Sequence, residues 1–371
     1  MGTGNQWSDL PTDLLAMIGE RLNTRMDILR FRGVCKSWRS SIPPYPPYPP
    51  SPLRLPFPVP PNCPIDEIPH GYITVTEFTI YRLQENPKAS IFEASSFSSS
   101  SSSRSKNILA KVREEDKNNV CILTPFSEVP IQLWHKKFPR VMNLFDFHVS
   151  EIGKIYRTPS YSLHNGSSIR WFHCINKVAV SSSNFVRTGS YAVMAIYNHG
   201  RLCFLKSGDE EWTAIDEQNS GYREVISHKG KFYAVTHTGR AIVVDSFSEV
   251  SEIACSIFGG GGGRQMHLVE SLDDLLLVDR CPYFGPALVK FRVHKLDEEE
   301  HKWVEMTSLG ERVLFVDQDG SFSVSSRDLT GCEGNCIYYV DRYLNKYTSV
   351  FSLEDGRVRP ASSFWLNPFL I

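Results

Sequence analysis

The chain has no apolar run approaching the roughly 20 residues that a membrane-spanning helix needs. It also has no excess charge of either sign: 40 Lys and Arg stand against 41 Asp and Glu in 371 residues, a formal net charge of −1. The first absence argues against helical membrane spans. The second argues against a global basic field of the kind that holds nucleic acid by its phosphates. Signatures of catalysis are missing as well. No Gly-x-Ser-x-Gly elbow and no His-Glu-x-x-His occur. His267, His294 and His301 have no spacing that suggests shared ligation, and Cys332 with Cys336 lacks the second Cys/His pair of a structural zinc. The run Gly259 to Gly263 is followed by Arg264-Gln265 rather than the Lys-Ser/Thr of a phosphate-binding loop. The expectation is therefore no catalytic residue, no metal and no cofactor. Met1 to Asp9 is polar and lacks the apolar core of a secretory leader. A soluble intracellular chain in the nucleus or cytoplasm is expected, with its nine cysteines reduced. Asn165-Gly166-Ser167 then carries no meaning as a glycosylation site.

What is present falls into three stretches. Residues 7–42 read as helical, 43–69 as a proline-rich linker, and 70–371 as strand almost without relief. The prolines from Pro43 to Pro61 remove backbone donors and favour an extended polyproline form of roughly 3.1 Å per residue, a semi-rigid spacer. The serine-rich segment 95–105 and the glycine run 259–263 read as surface loops. Short alternating runs such as Tyr72–Tyr81, Tyr191–Tyr197, Lys231–Thr236 and Cys336–Asp341 are separated by turn signals, among them Asn198-His199-Gly200, His228-Lys229-Gly230 and Asp319-Gly320. Strands recurring about every ten residues, with no long helix between them, predict a radial all-β architecture. A β-propeller of about six or seven blades fits best, because radial blades leave only short, protected edges. Glu211-Trp212-Thr213-Ala214-Ile215 echoes Lys302-Trp303-Val304-Glu305-Met306, an aromatic at one place in a repeating unit. Gly331 and Gly334 suit tight turns. Glu298-Glu299-Glu300 reads as a solvated hairpin tip.

The helical stretch is small. Ser8 or Asp9 is placed to cap a first helix with Pro11 in its first turn, and Leu14, Leu15, Ile18 and Leu22 follow at helical spacing. Ile28, Leu29 and Phe31 begin a second helix, Gly33 marks a bend, and Val34, Cys35 and Trp38 give a third. Arg30, Arg32, Lys36 and Arg39, on one short helical segment, read as a solvated helix face. Three helices of about ten residues each cannot mutually cover so many large apolar side chains. Some must stay exposed, and an exposed apolar patch on a small module marks a partner site.

Leu10-Pro11-Thr12-Asp13-Leu14-Leu15, then Ile18 and Leu22, then Asp27 to Arg39 with its Val34-Cys35-x-x-Trp38-Arg39 end, resembles an F-box at nearly every signature position. The strand region is similar to the plant F-box family whose second domain is a KIB-type β-propeller. Phe291 to Asp297, Trp303 to Val316, Ser321 to Ser325 and Gly331 to Tyr339 carry that likeness, and Thr124-Pro125-Phe126-Ser127 resembles an earlier turn of the family. The resemblance implies a substrate receptor of an SCF-type (Skp-cullin-F-box) ubiquitin ligase. Its F-box would bind a Skp-type adaptor and through it a cullin, and its propeller would recruit a protein target. Carried over position by position, it assigns the adaptor contact to Leu10, Pro11, Leu14, Leu15, Ile18, Leu22, Leu29, Val34, Cys35 and Trp38. Which of these are interfacial and which internal the sequence leaves open. Two alternatives stand beside it: an F-box scaffold outside any ligase, and a propeller with sugar-binding or enzymatic activity. The latter would cluster carboxylates and aromatics around the central channel.

Overall fold

The computed structural model describes residues 7, 10–22, 25–43, 52–58, 72–86, 107–116, 119–126, 130, 147–158, 175–181, 190–245, 248–259, 264–281, 289–329, 332–340 and 348–361. Three short helices come first: α1 (Thr12–Gly19), α2 (Arg25–Gly33) and α3 (Lys36–Ser41). Pro11 stands at the N-cap of α1 and no side chain caps it. Ser8 and Asp9, the expected caps, lie outside the described residues. Leu15, Ile28, Phe31 and Ile42 form the core of this unit, with Leu10, Leu22 and Trp38 packed against it. Gly19 is required for that packing. A Cβ there would lie 2.1 Å from Ile42 Cγ2.

Strands then build five sheets among the described residues. The first holds β1 (Leu53–Pro56), β2 (Tyr72–Glu85), β3 (Asn107–Asp116), β4 (Asn119–Leu123) and β5 (Phe147–Arg157). The second holds β6 (Ile175–Ser181), β7 (Ala192–Tyr197), β8 (Arg201–Lys206) and β9 (Thr213–Ile215). β10 (Tyr222–His228), β11 (Lys231–Thr236), β12 (Ala241–Val244) and β13 (Val250–Ala254) make the third. β14 (Gln265–Ser271), β15 (Asp274–Cys281), β16 (Lys290–Asp297) and β17 (Lys302–Met306) make the fourth. The fifth orders its strands β19-β18-β20-β21-β22, from β18 (Arg312–Val316), β19 (Ser321–Ser325), β20 (Cys336–Val340), β21 (Thr348–Ser352) and β22 (Val358–Pro360). All neighbours pair antiparallel except β18 with β20.

The sheets are blades of a propeller. β5, β6, β10, β14 and β19 are the innermost strands and adjoin one another in that order, with β19 returning to β5. Between successive blades lies one apolar cluster each, five in all among the described residues. The expected count of six or seven blades is corrected to five. Blades two to four are compact four-stranded units, whereas the first blade runs from Leu53 to Arg157 and contains a strand of 14 residues. Dividing the strand region by an ordinary blade length therefore overcounts.

One further expectation changes. The span 43–69, read as linker throughout, contains β1, whose Leu53 and Leu55 are buried and pair with Val75 and Ile73. Gly334 sits in the bend before β20, where close approach requires glycine, since a Cβ would sit 2.6 Å from the Gly310 carbonyl oxygen. Gly331 and the serine-rich loop fall outside the described residues. The tryptophan echo is structural. Trp212, beside the outermost strand of blade two, donates its indole N–H to the Pro56 carbonyl in blade one at 2.8 Å. Trp303, in the outermost strand of blade four, donates to the Gly239 carbonyl in blade three, also at 2.8 Å. Each ties a blade to the one before it. Glu298 to Glu300 form the exposed tip between β16 and β17.

Candidate functional site

The ten residues expected to meet an adaptor divide by burial. Leu15 is fully buried in the helical core, while its neighbour Leu14 is 46% exposed. Leu10, Leu22 and Trp38 are half-buried bracing residues, and Trp38 packs at a tilt against Phe31, 4.6 Å between centroids. Cys35 is half-buried at the N-cap of α3. Pro11, Ile18, Leu29 and Val34 are exposed. Met17, which the sequence reading passed over, is exposed beside them. Its position was legible: Leu14, Met17 and Ile18 stand at i, i+3 and i+4, neighbours on one helix face. The exposed strip on α1 is thus apolar and uncharged, the kind of surface a partner covers.

The basic side chains are not simply solvated. Arg32 donates to the Arg39 carbonyl at 2.8 Å and to the Ile42 carbonyl, and Arg39 donates back to the Arg32 carbonyl at 3.1 Å. The pair satisfies carbonyls at the ends of α2 and α3 that helix geometry leaves open. Arg30 pairs with Asp27 at 3.2 Å and donates to the Val149 carbonyl in blade one.

The second feature is the central channel of the propeller, a cavity of about 650 Å³ lined by the five innermost strands. One mouth carries titratable groups drawn from all five blades. Lys177 of β6 binds Glu224 of β10 at 2.9 Å and the Gln318 carbonyl, before β19, at 2.9 Å. His267 of β14 lies 3.9 Å from Glu224. Arg157, ending β5, pairs with Asp319 at 3.6 Å. Burial raises the Glu224 carboxyl pKa, against the pull of Lys177. Burial first, then Lys177 and Arg280, push His267 down to about 3, so it is neutral at any ordinary pH. These groups come from distant segments, and no local pattern announces them. Among the described residues no cluster of three or more His, Cys, Asp or Glu could hold a metal.

The comparisons with known proteins match both parts of this geometry. An F-box-like family model covers residues 7–43 and the KIB1-4 beta-propeller model covers residues 73–356. An F-box-class protein of Arabidopsis thaliana, At5g60060, is 31% identical over 95% of this chain and 92% of its own length. The F-box protein SKIP23 of the same plant is 28% identical over 95% of this chain and 90% of its own. The F-box protein At2g17036 is 28% identical over 87% and 80%. With three helices placed as an F-box and five blades behind them, the chain belongs to the F-box proteins with a KIB1-4 β-propeller.

Proposed function

We propose that this chain is the substrate-receptor subunit of an SCF-type ubiquitin ligase. The exposed strip Pro11, Leu14, Met17, Ile18, Leu29 and Val34 docks a Skp-type adaptor, which bridges to a cullin, and the propeller holds a protein target. The chain supplies no catalytic group. It acts by raising the effective concentration of a target lysine near the ubiquitin carrier. The observation that carries this reading is the uncovered apolar face of α1 on a module that matches the F-box pattern.

The propeller-enzyme alternative is less favoured. Lys177 with Glu224 and Arg157 with Asp319 engage one another at the channel mouth, instead of converging on open space where a substrate would bind.

Adaptor pull-down with Leu14→Ala plus Ile18→Ala tests the reading. Truncating interfacial anchors typically costs about 2 kcal/mol each, roughly 30-fold in affinity. Capture should fall by at least that factor while the thermal transition of the propeller stays put. Undiminished capture would remove these side chains from the contact.

A further inference from the structure

The proline-rich stretch alone suggests a semi-rigid spacer that sets the distance between F-box and propeller. The contacts of α2 suggest otherwise. Met26 packs against the far end of blade one, on a cluster formed by Leu83, Ile108, Ala110, Phe147 and Val149. One turn later Arg30 donates to the Val149 carbonyl while also holding Asp27. Met26 and Arg30 are an i, i+4 pair on one face of α2. Ile28 and Phe31, pointing away from that face at 100° per residue, are buried in the F-box core. The helix therefore has one side for its own module and another for the propeller. An apolar knob and a charge-assisted hydrogen bond to backbone make this contact independently of each other.

The chain between the two parts is short. Pro43 ends the described helical unit, and Leu53, ten residues on, is already paired in blade one. A tether of that length spans at most about 35 Å and keeps the two surfaces at an effective concentration on the order of millimolar, so a modest contact stays closed. The strip of Leu14, Met17 and Ile18 is exposed with the propeller in place, so the docked arrangement leaves the adaptor face open.

We infer that α2 clamps the F-box onto blade one through Met26 and Arg30, so that this contact, and not the length of the proline segment, fixes the orientation of the adaptor face relative to the propeller. The clamp rests on the receptor reading only for its biological meaning; the contact itself is a property of the free chain. β5 gives it a direction. Phe147 and Val149, at the start of β5, meet the F-box, whereas Arg157 at its end belongs to the charged channel mouth. The charged mouth thus lies at the end of blade one away from the F-box.

Small-angle scattering of the full chain, free and adaptor-bound, tests the clamp with two variants. Inserting ten Gly/Ser residues into segment 44–51 should leave the radius of gyration of the free chain unchanged. Met26→Asp with Arg30→Ala should increase it and broaden the distance distribution, with adaptor capture intact because neither residue is in the strip. Expansion on insertion alone, or an unchanged profile in the double variant, overturns the clamp. Hydrogen exchange across the five blades confirms that the double variant remains folded. Loss of adaptor capture by wild-type chain would count against the receptor reading and leave the free-chain result standing.

Discussion

Leu14 and Leu15 sit side by side on α1 and differ in burial, one facing solvent and one the helical core. Leu15→Ala should cost about 2–5 kcal/mol of F-box stability, the usual range for a buried leucine. Leu14→Ala should leave that stability within about 1 kcal/mol. Hydrogen exchange at the α1 amides separates them, and equal loss of protection in both variants would contradict the assignment of inner and outer faces. Gly19→Ala belongs with Leu15, because its new methyl would collide with Ile42. His267 gives a residue-scale prediction in pH. Its pKa is pushed down to about 3 in the fold against about 6.5 in an unfolded chain. Between those values the unfolded chain carries a proton that the folded chain does not, so stability is full above pH 6.5 and drains as pH falls toward 3. This one group contributes a slope of about 1.4 kcal/mol per pH unit in that window. Denaturant titrations of His267→Gln should show a correspondingly shallower acid dependence; an unchanged slope would mean the imidazole protonates freely in the fold.

At the scale of elements, alternation and turn chemistry were legible in the sequence because they are local. The hairpin signals Asn198-His199-Gly200 and Lys229-Gly230 take the positive φ values that favour Gly and Asn. The F-box signature was legible for the same reason. What was not legible depends on chain returning from far away. β5 joins blade one as its innermost strand after β2, β3 and β4 are laid down, and in blade five β20 crosses over to pair parallel with the far side of β18; neither move has a local signal. β1 was hidden inside a proline-rich stretch because Pro56 lies at the end of the strand, where a missing donor costs little. The tryptophans sit between these cases. Their spacing relative to the outer strand was visible, and their partners, the carbonyls of Pro56 and Gly239, were not. Trp303→Phe keeps most of the buried ring but orphans the Gly239 carbonyl. It should cost about 1–3 kcal/mol, read as a lower denaturant midpoint at unchanged m-value. A change in m would point instead to a rearranged blade.

On the scale of the molecule, the ring has one junction unlike the others. Blades one and five meet without a shared strand among the described residues, through Phe78, Ile80, Leu109 and Ile155 on one side and Phe315, Phe322, Val324 and Tyr338 on the other. Phe315 stacks on Phe322 at 4.7 Å and on Tyr338 at 5.2 Å between centroids. Polar contacts reinforce the junction: Arg82 pairs with Asp328, and Asn107 donates to the Asp328 carbonyl at 2.6 Å. Ile155 comes so near the turn before β19 that a Cβ on Gly320 would lie 2.9 Å from two of its carbons. Every other junction joins blades that follow one another in the chain. This one must close across most of the propeller sequence, so its contacts bear the largest loop-closure entropy and should open first. Phe315→Ala removes its central ring at a cost of about 3–5 kcal/mol. Phe204, equally buried between blades two and three against Phe232, is the matched control. In native-state hydrogen exchange, Phe315→Ala should strip protection from β5 and β19 while β10 and β14 keep most of theirs, whereas Phe204→Ala should lower protection throughout the ring. Uniform loss in both variants would mean that the five blades unfold as one cooperative unit, with no privileged point of opening.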